Sequence, residues 1–149
     1  MINYSTREER GEYIKHGRLN GKVIVNWKGG DNLECEYIAG RPEGFGVMHF
    51  RNGNVYEGEY KNGVPHGLGV EYHQSGDIFE GEYRHGKKEG LGRYLFRDGG
   101  RYEGEFSKGE REGKGVYFKM NGSRFEGSFY KGKPEKGMKF YKDGTIKVV

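Results

Sequence analysis

The sequence predicts an all-β protein made of stacked hairpins, and three observations carry that prediction. One string of aromatic, acidic and glycine residues recurs every 23 positions: "YEGEYKNGVPHGLG", from Tyr56 to Gly69, returns as "FEGEYRHGKKEGLG", from Phe79 to Gly92. Inside each copy, side-chain character alternates with period two, as on a strand with one face turned inward. Glycines stand in fixed columns, among them Gly63, Gly86 and Gly109 and then Gly69, Gly92 and Gly115. No apolar helical period survives a glycine every few positions.

The repeat divides a single domain, 1–149, into copies at about 10–32, 33–55, 56–78, 79–101, 102–124 and 125–147. The first copy is degenerate: its "GEY", from Gly11 to Tyr13, lies one residue further from Gly17 than Gly58 lies from Gly63. The second begins at Leu33 and carries Cys35 where its neighbours have Gly58 and Gly81, which reads as a small tolerated replacement and not as a nucleophile. The third, fourth and fifth repeat the string in full. The last has lost a residue, since Gly132 and Gly137 are five apart instead of six. Atypical outer copies are the rule in repeat arrays.

Each copy reads as two strands. "FEGEYR" alternates ring, acid, Gly, acid, ring, and "LGVEY" before it leads into a Ser75-Gly76-Asp77 turn. Pairing across Ser75 and Gly76 sets Tyr72 opposite Phe79, Val70 opposite Gly81 and Leu68 opposite Tyr83, with Glu71, Glu80 and Glu82 on the other face. The same register sets Leu95 opposite Tyr102, Leu91 opposite Phe106 and Phe118 opposite Phe125, and departs from the apolar pattern at His49, Arg93 and Lys114. A ring can lie flat over a glycine that has no side chain, and rings of successive copies then pack edge to face. One hairpin cannot bury its rings alone; an identical neighbour completes it.

Tyr-x-Gly-x-aromatic-x-x-Gly-x-x-x-Gly-x-Gly at this spacing resembles the MORN repeat, over about residues 10–147 and most strongly from Tyr56 to Gly122. The resemblance implies an elongated, twisted single-layer antiparallel sheet curved into a groove and used for binding. Where that family usually has Trp, this chain has Tyr60, Tyr83, Phe106 or Phe129. The resemblance also implies that the recurring glutamate binds backbone amides at the inter-repeat connection.

Composition limits the functions available. Leu, Ile, Val and Phe make up less than a fifth of the 149 residues, which by itself points toward disorder, but 9 Phe, 12 Tyr and 1 Trp supply the missing apolar surface. The net charge of +4 is uneven, −1 over residues 1–74 and +5 over 75–149, with signs interleaved as on a solvated surface. No apolar run reaches the roughly 20 residues of a membrane span, and "MINYSTREER" has no signal-peptide core, so a cytoplasmic protein is expected, at the cytoskeleton or the membrane periphery.

The residues that attract chemical readings recur instead of converging. Glu34/Glu36, Glu57/Glu59, Glu80/Glu82, Glu103/Glu105 and the partial Glu126/Ser128 form a column, whereas acid–base catalysis needs one tuned pair in one pocket. His16, His49, His66, His73 and His85 have no metal-ligand spacing, and "GLGVEYH" lacks the Lys-Ser/Thr of a phosphate loop. No enzyme, no cofactor and no metal are expected. Rings engaged with each other and acids alternating with bases argue against nucleic acid.

The leading expectation is therefore a scaffold that holds a segment of a partner protein in an aromatic groove of Tyr56, Tyr60, Tyr72, Phe79, Tyr83, Tyr102, Phe106, Phe118, Phe125 and Phe129. The alternative implied by the family is peripheral binding to anionic phospholipid, phosphoinositide above all, through Lys87, Lys88, Arg93, Arg97 and Arg101. A weaker one is an accessory module of a larger enzyme. The tail "DGTIKVV" is β-prone and carries little charge; it either folds back as a cap or joins a second copy in a homodimer through roughly residues 125–149.

Overall fold

The computed structural model describes residues 7–15 and 18–149, with side chains from Leu19 onward; His16 and Gly17 lie outside the described residues. Every element among them is a strand: β1 (Arg7–Lys15), β2 (Arg18–Trp27), β3 (Asn32–Ile38), β4 (Arg41–His49), β5 (Val55–Lys61), β6 (Val64–Tyr72), β7 (Ile78–Arg84), β8 (Lys87–Leu95), β9 (Arg101–Ser107), β10 (Glu110–Phe118), β11 (Arg124–Tyr130), β12 (Lys133–Phe140) and β13 (Ile146–Val148). They pair in chain order, all antiparallel, in one 13-stranded sheet whose first and last strands do not meet. The five hairpins from β3 to β12 start at Asn32, Val55, Ile78, Arg101 and Arg124, one every 23 residues.

Two kinds of turn alternate along the sheet. Within a copy the strands join through two residues, such as Asn62 and Gly63, whose φ of 51° and 86° give the turn that matches strand twist. Between copies the loop is longer: His73 N–H donates to Asp77 C=O (2.9 Å) and Gly76 N–H to His73 C=O (2.9 Å). The first four of these loops are tied one to the next along the sheet, for Asp31 Oδ1 accepts from Arg51 N–H (2.8 Å), Asn54 Oδ1 from Gln74 N–H (2.9 Å) and Asp77 Oδ1 from Arg97 N–H (2.7 Å).

The longer loop corrects the expected register by one residue. Tyr72 pairs with Ile78, not Phe79; Phe79 faces Glu71, Gly81 faces Gly69 and Tyr83 faces Gly67. In the same way Tyr102 faces Tyr94, Phe106 faces Gly90, and Phe125 faces Tyr117 instead of Phe118. A slip of one residue moves every side chain of a strand to the other face. Leu68, Val70 and Tyr72 thus share a face with Glu80 and Glu82, while Glu71 joins the rings.

The recurring glutamates bind backbone amides inside their own copy and not at the inter-repeat connection that the resemblance implied; the amides of a neighbouring copy go to Glu43 and Glu89, which accept from Asn62 N–H and Lys108 N–H (2.9 Å each). β6 carries an irregularity opposite Glu59, between the pairs Gly58–Gly69 and Tyr60–Pro65, and Gly67 inside it has a φ of 99°. Glu59 Oε2 fills the gap by accepting from Leu68 N–H (2.6 Å); Glu82 does the same for Leu91 (2.5 Å) and Glu105 for Lys114 (2.5 Å). In the last copy the irregularity is one residue shorter, and the shorter Ser128 stands in, its Oγ accepting from Lys136 N–H (3.2 Å).

Candidate functional site

The two faces of the sheet have different fates. On one, a continuous zipper of rings runs Tyr60, Tyr56, Tyr83, Phe79, Phe106, Tyr102, Phe129, Phe125, each centroid 4.8–5.5 Å from the next and each pair edge to face. The contacts alternate within a copy and between copies, so no copy is sealed without its neighbour. These eight residues are 0–5% exposed. Tyr56 Oη and Tyr102 Oη donate to the carbonyls of Glu59 and Glu105 (2.8 Å each). Tyr83 Oη donates to Glu71 Oε2 (2.8 Å), and Lys88 Nζ reaches the same oxygen at 3.4 Å.

Of the ten rings expected to contact a partner, these eight are therefore engaged with one another. Tyr72 and Phe118 stand on the opposite face, Tyr72 40% exposed and Phe118 covered by the Arg101 guanidinium 3.8 Å from its ring centre. Beside the zipper, Tyr94, Phe96 and Tyr117 form a second, half-buried row, with ring centres 4.7 and 5.5 Å apart. Arg111 lies 5.6–5.9 Å from Phe96, Tyr102, Tyr117 and Phe129 and donates to Gly132 C=O (2.5 Å). Sequence reasoning missed this inserted cation.

The five expected lipid contacts do not share a surface. Lys88 lies over the Phe79 ring (5.0 Å) on the zipper face. Arg93 stands on the opposite face between Glu80 and Glu103, 3.5 Å from each, and Arg101 pairs with Glu103 at 3.2 Å. Lys87 and Arg97 are exposed at a strand end and a loop.

An open trough lies on the face away from the zipper. Here the glycine row Gly58, Gly69, Gly81, Gly92 and Gly104 is the floor of a trough of about 660 Å³ that crosses β4 to β9 perpendicular to the strands. One wall is Phe45, Leu68 and Leu91, exposed by 63%, 64% and 64% and spaced one copy apart. The other wall alternates Glu57, Val70, Glu80, Arg93 and Glu103. A second trough, of about 450 Å³, shares Glu103 and Gly104 and continues past Lys114, Val116 and Ser128. The signal for it was in the glycine columns: pairing glycine with glycine across strands gives the observed register and lays the floor.

Burial sets the titration of the packed tyrosines in both ring rows. It pushes the Tyr94 and Tyr102 hydroxyls up to about 12, and those of Tyr56, Tyr60 and Tyr83 further, with Glu71 adding to the effect at Tyr83. Burial also raises the Cys35 thiol to about 11, so at neutral pH it is a packed neutral side chain. The unfolded chain releases phenolic protons near pH 10 and the fold keeps them. Stability is therefore fully present below pH 10 and falls above it. We expect thermal midpoints to decline from pH 10 upward, and less steeply in Tyr56→Phe/Tyr102→Phe, since the chain itself has Phe79 and Phe125 at the equivalent positions; an equally steep decline refutes this.

Among the described residues no group of three or more His, Cys, Asp or Glu is placed to hold a metal ion, and no helix is long and apolar enough to cross a membrane. The fold and its open trough define a single-layer repeat sheet that presents a surface instead of an enclosed pocket. The MORN repeat model matches four consecutive times, at residues 36–55, 56–78, 79–101 and 102–124, and the chain belongs to the MORN-repeat family. No curated protein sequence matches the chain. Among solved structures, the chain resembles the TCP domain of SAS-4 (dCPAP) of Drosophila melanogaster, seen in complex with a proline-rich motif of Ana2 (dSTIL), at 15% identity and a TM-score of 0.59 over 95% of this chain and 77% of that one. The TCP10 domain of Danio rerio CPAP, in complex with a peptide of STIL, matches at 16% identity and a TM-score of 0.30 over 97% of this chain and 83% of that one.

Proposed function

We propose that the protein is a non-catalytic scaffold that holds a segment of a partner protein in the glycine-floored trough. The observation that carries this reading is the wall of Phe45, Leu68 and Leu91, three large apolar side chains about two-thirds exposed in one line over bare backbone. Aligned exposed apolar residues mark interaction sites, whereas scattered ones do not. The SAS-4 TCP domain supports the class, because a domain of similar fold is there in complex with a proline-rich motif. In this reading the ring zipper is the rigid backing of the trough floor. Peripheral membrane binding has less support, since Lys88, Arg93 and Arg101 are held by glutamates on two different faces.

The test is selection of a displayed random peptide library on the intact protein and on Phe45→Thr/Leu68→Thr/Leu91→Thr, which alters exposed positions and keeps β propensity. Peptides enriched on the first are expected to bind the second at least about tenfold more weakly. Equal binding to both, or no enrichment, overturns the reading.

The open edge supports a homodimer through residues 125–149. The tail folds back, Val149 N–H donating to Gly137 C=O (2.9 Å), and leaves Ile146 and Val148 58% and 75% exposed on the last strand. Since the Val149 amide bonds inward, that of Val148 faces the open side. Light scattering is expected to give a dimer mass for the native chain and a monomer for Val148→Pro; a monomeric native chain at high concentration removes the contact.

A further inference from the structure

The trough has a repeat distance, and that distance selects the conformation of what lies in it. The row Glu34, Val47, Glu57, Val70, Glu80, of which Glu57, Val70 and Glu80 line the trough and the first two extend it, advances one strand per residue, each partner directly opposite the next in the ladder. Neighbouring strands are about 4.8 Å apart, so carboxylates recur about every 9.6 Å. The apolar wall has the same step, because Phe45, Leu68 and Leu91 are also one copy apart. A chain running along the trough must present like side chains at that interval. An extended strand repeats a face at about 6.6 or 13 Å. A helix returns to the same face at about 10.5 Å, after seven residues, and is about 10 Å across. A polyproline II segment advances about 9.3 Å in three residues, with one residue in three on each side.

Charge chooses the residue on the acidic side. Glu57 lies between Val47 and Val70, with no cation in the row on either adjacent strand, and Glu34 lies between Ile24 and Val47. The cation of this row, Arg93, stands on the far side of Glu80, 3.5 Å from it, and shares itself with Glu103 at the same distance, so a basic residue of the ligand at Glu80 joins an existing pair. From β3 to β7 the wall is therefore carboxylate and valine only, facing Phe45 and Leu68 across the floor.

From this match we infer that the occupant is a polyproline II segment with a basic residue at every third position, its basic column on Glu34, Glu57 and Glu80 and its proline or apolar column on Phe45, Leu68 and Leu91. This deepens the proposed function and rests on it. The missing Cβ atoms of the floor glycines would point at the zipper rings on the other face, so glycine lets the rings press against the backbone from behind while the floor toward the ligand is bare main chain. The segment's own backbone lies flat, with its third column in water.

Fluorescence anisotropy with synthetic peptides tests it. The probes are a repeat of Arg-Pro-Ser, a peptide of the same composition with arginines two and four residues apart, and a helix-forming peptide with arginine at every seventh position. The first is expected to bind at least about tenfold more tightly than either other, and Glu57→Gln/Glu80→Gln to lose about tenfold for it alone. Equal binding of all three, or preference for the helical peptide, overturns the inference. If the displayed library yields trough-dependent peptides without a three-residue basic period, the scaffold reading stands and this inference falls.

Discussion

Replacing Phe79 by Ala is expected to cost about 3–5 kcal/mol, the range for truncating a fully buried large ring. Phe79 has no exposed surface, its centroid lies 5.5 Å from Tyr83 in its own copy and 4.9 Å from Phe106 in the next, and Lys88 caps it. Removing it cuts the zipper near its middle, so both flanking copies lose the partner that seals them. For a chain of this size the loss corresponds to a fall in thermal midpoint on the order of 10 °C. A calorimetric shift of less than about 2 °C contradicts the account of the rings as the core of the central copies.

The second large effect comes from adding one carbon. Gly92 has an ordinary backbone conformation, yet a Cβ there falls 2.5 Å from Phe79 Cε2 and 3.0 Å from Phe106 Cε2. Gly92→Ala is therefore expected to cost about 3 kcal/mol from overpacking alone. Gly29→Ala serves as the control: its Cβ meets nothing within 4 Å, and its stability is expected to stay within about 0.5 kcal/mol of the parent. Combined with Phe79→Ala, the added methyl enters the space the ring leaves, and the two costs are expected to be less than additive by about 1–3 kcal/mol. Strict additivity in denaturant titrations refutes direct contact between ring and glycine.

Much of this fold is written openly in the chain. Columns 23 residues apart fix the hairpins, their order and the edge-to-face packing of rings from Tyr60 to Phe125. The faces were harder to read, because a period of two looks the same in either register. Only the length of the loop decides, and residues 73–77 close through the Asp77 carbonyl with one residue more than a turn centred on Ser75 and Gly76 provides. That single residue puts Tyr72 and Phe118 across the sheet from the zipper and exposes Leu68 and Leu91 instead of burying them. Arg111 was illegible for a different reason: Lys88 and Arg111 occupy equivalent positions, and nothing in the local string tells which cation inserts between rings.

The shortened irregularity between β11 and β12 says something about how such a chain changes over generations. Strand register on either side of an internal copy is shared, so losing one residue there would tilt every later ring away from its glycines. Here the deletion falls next to the three-residue β13, and a serine in place of a glutamate suffices to close the backbone. Duplication or excision of a whole 23-residue unit, by contrast, leaves each remaining copy with neighbours of the same shape and lengthens or shortens the open face by about 9.6 Å. Inheritance in this architecture thus proceeds in quanta, and relatives should differ in how many units they count before they differ in the shape of any one.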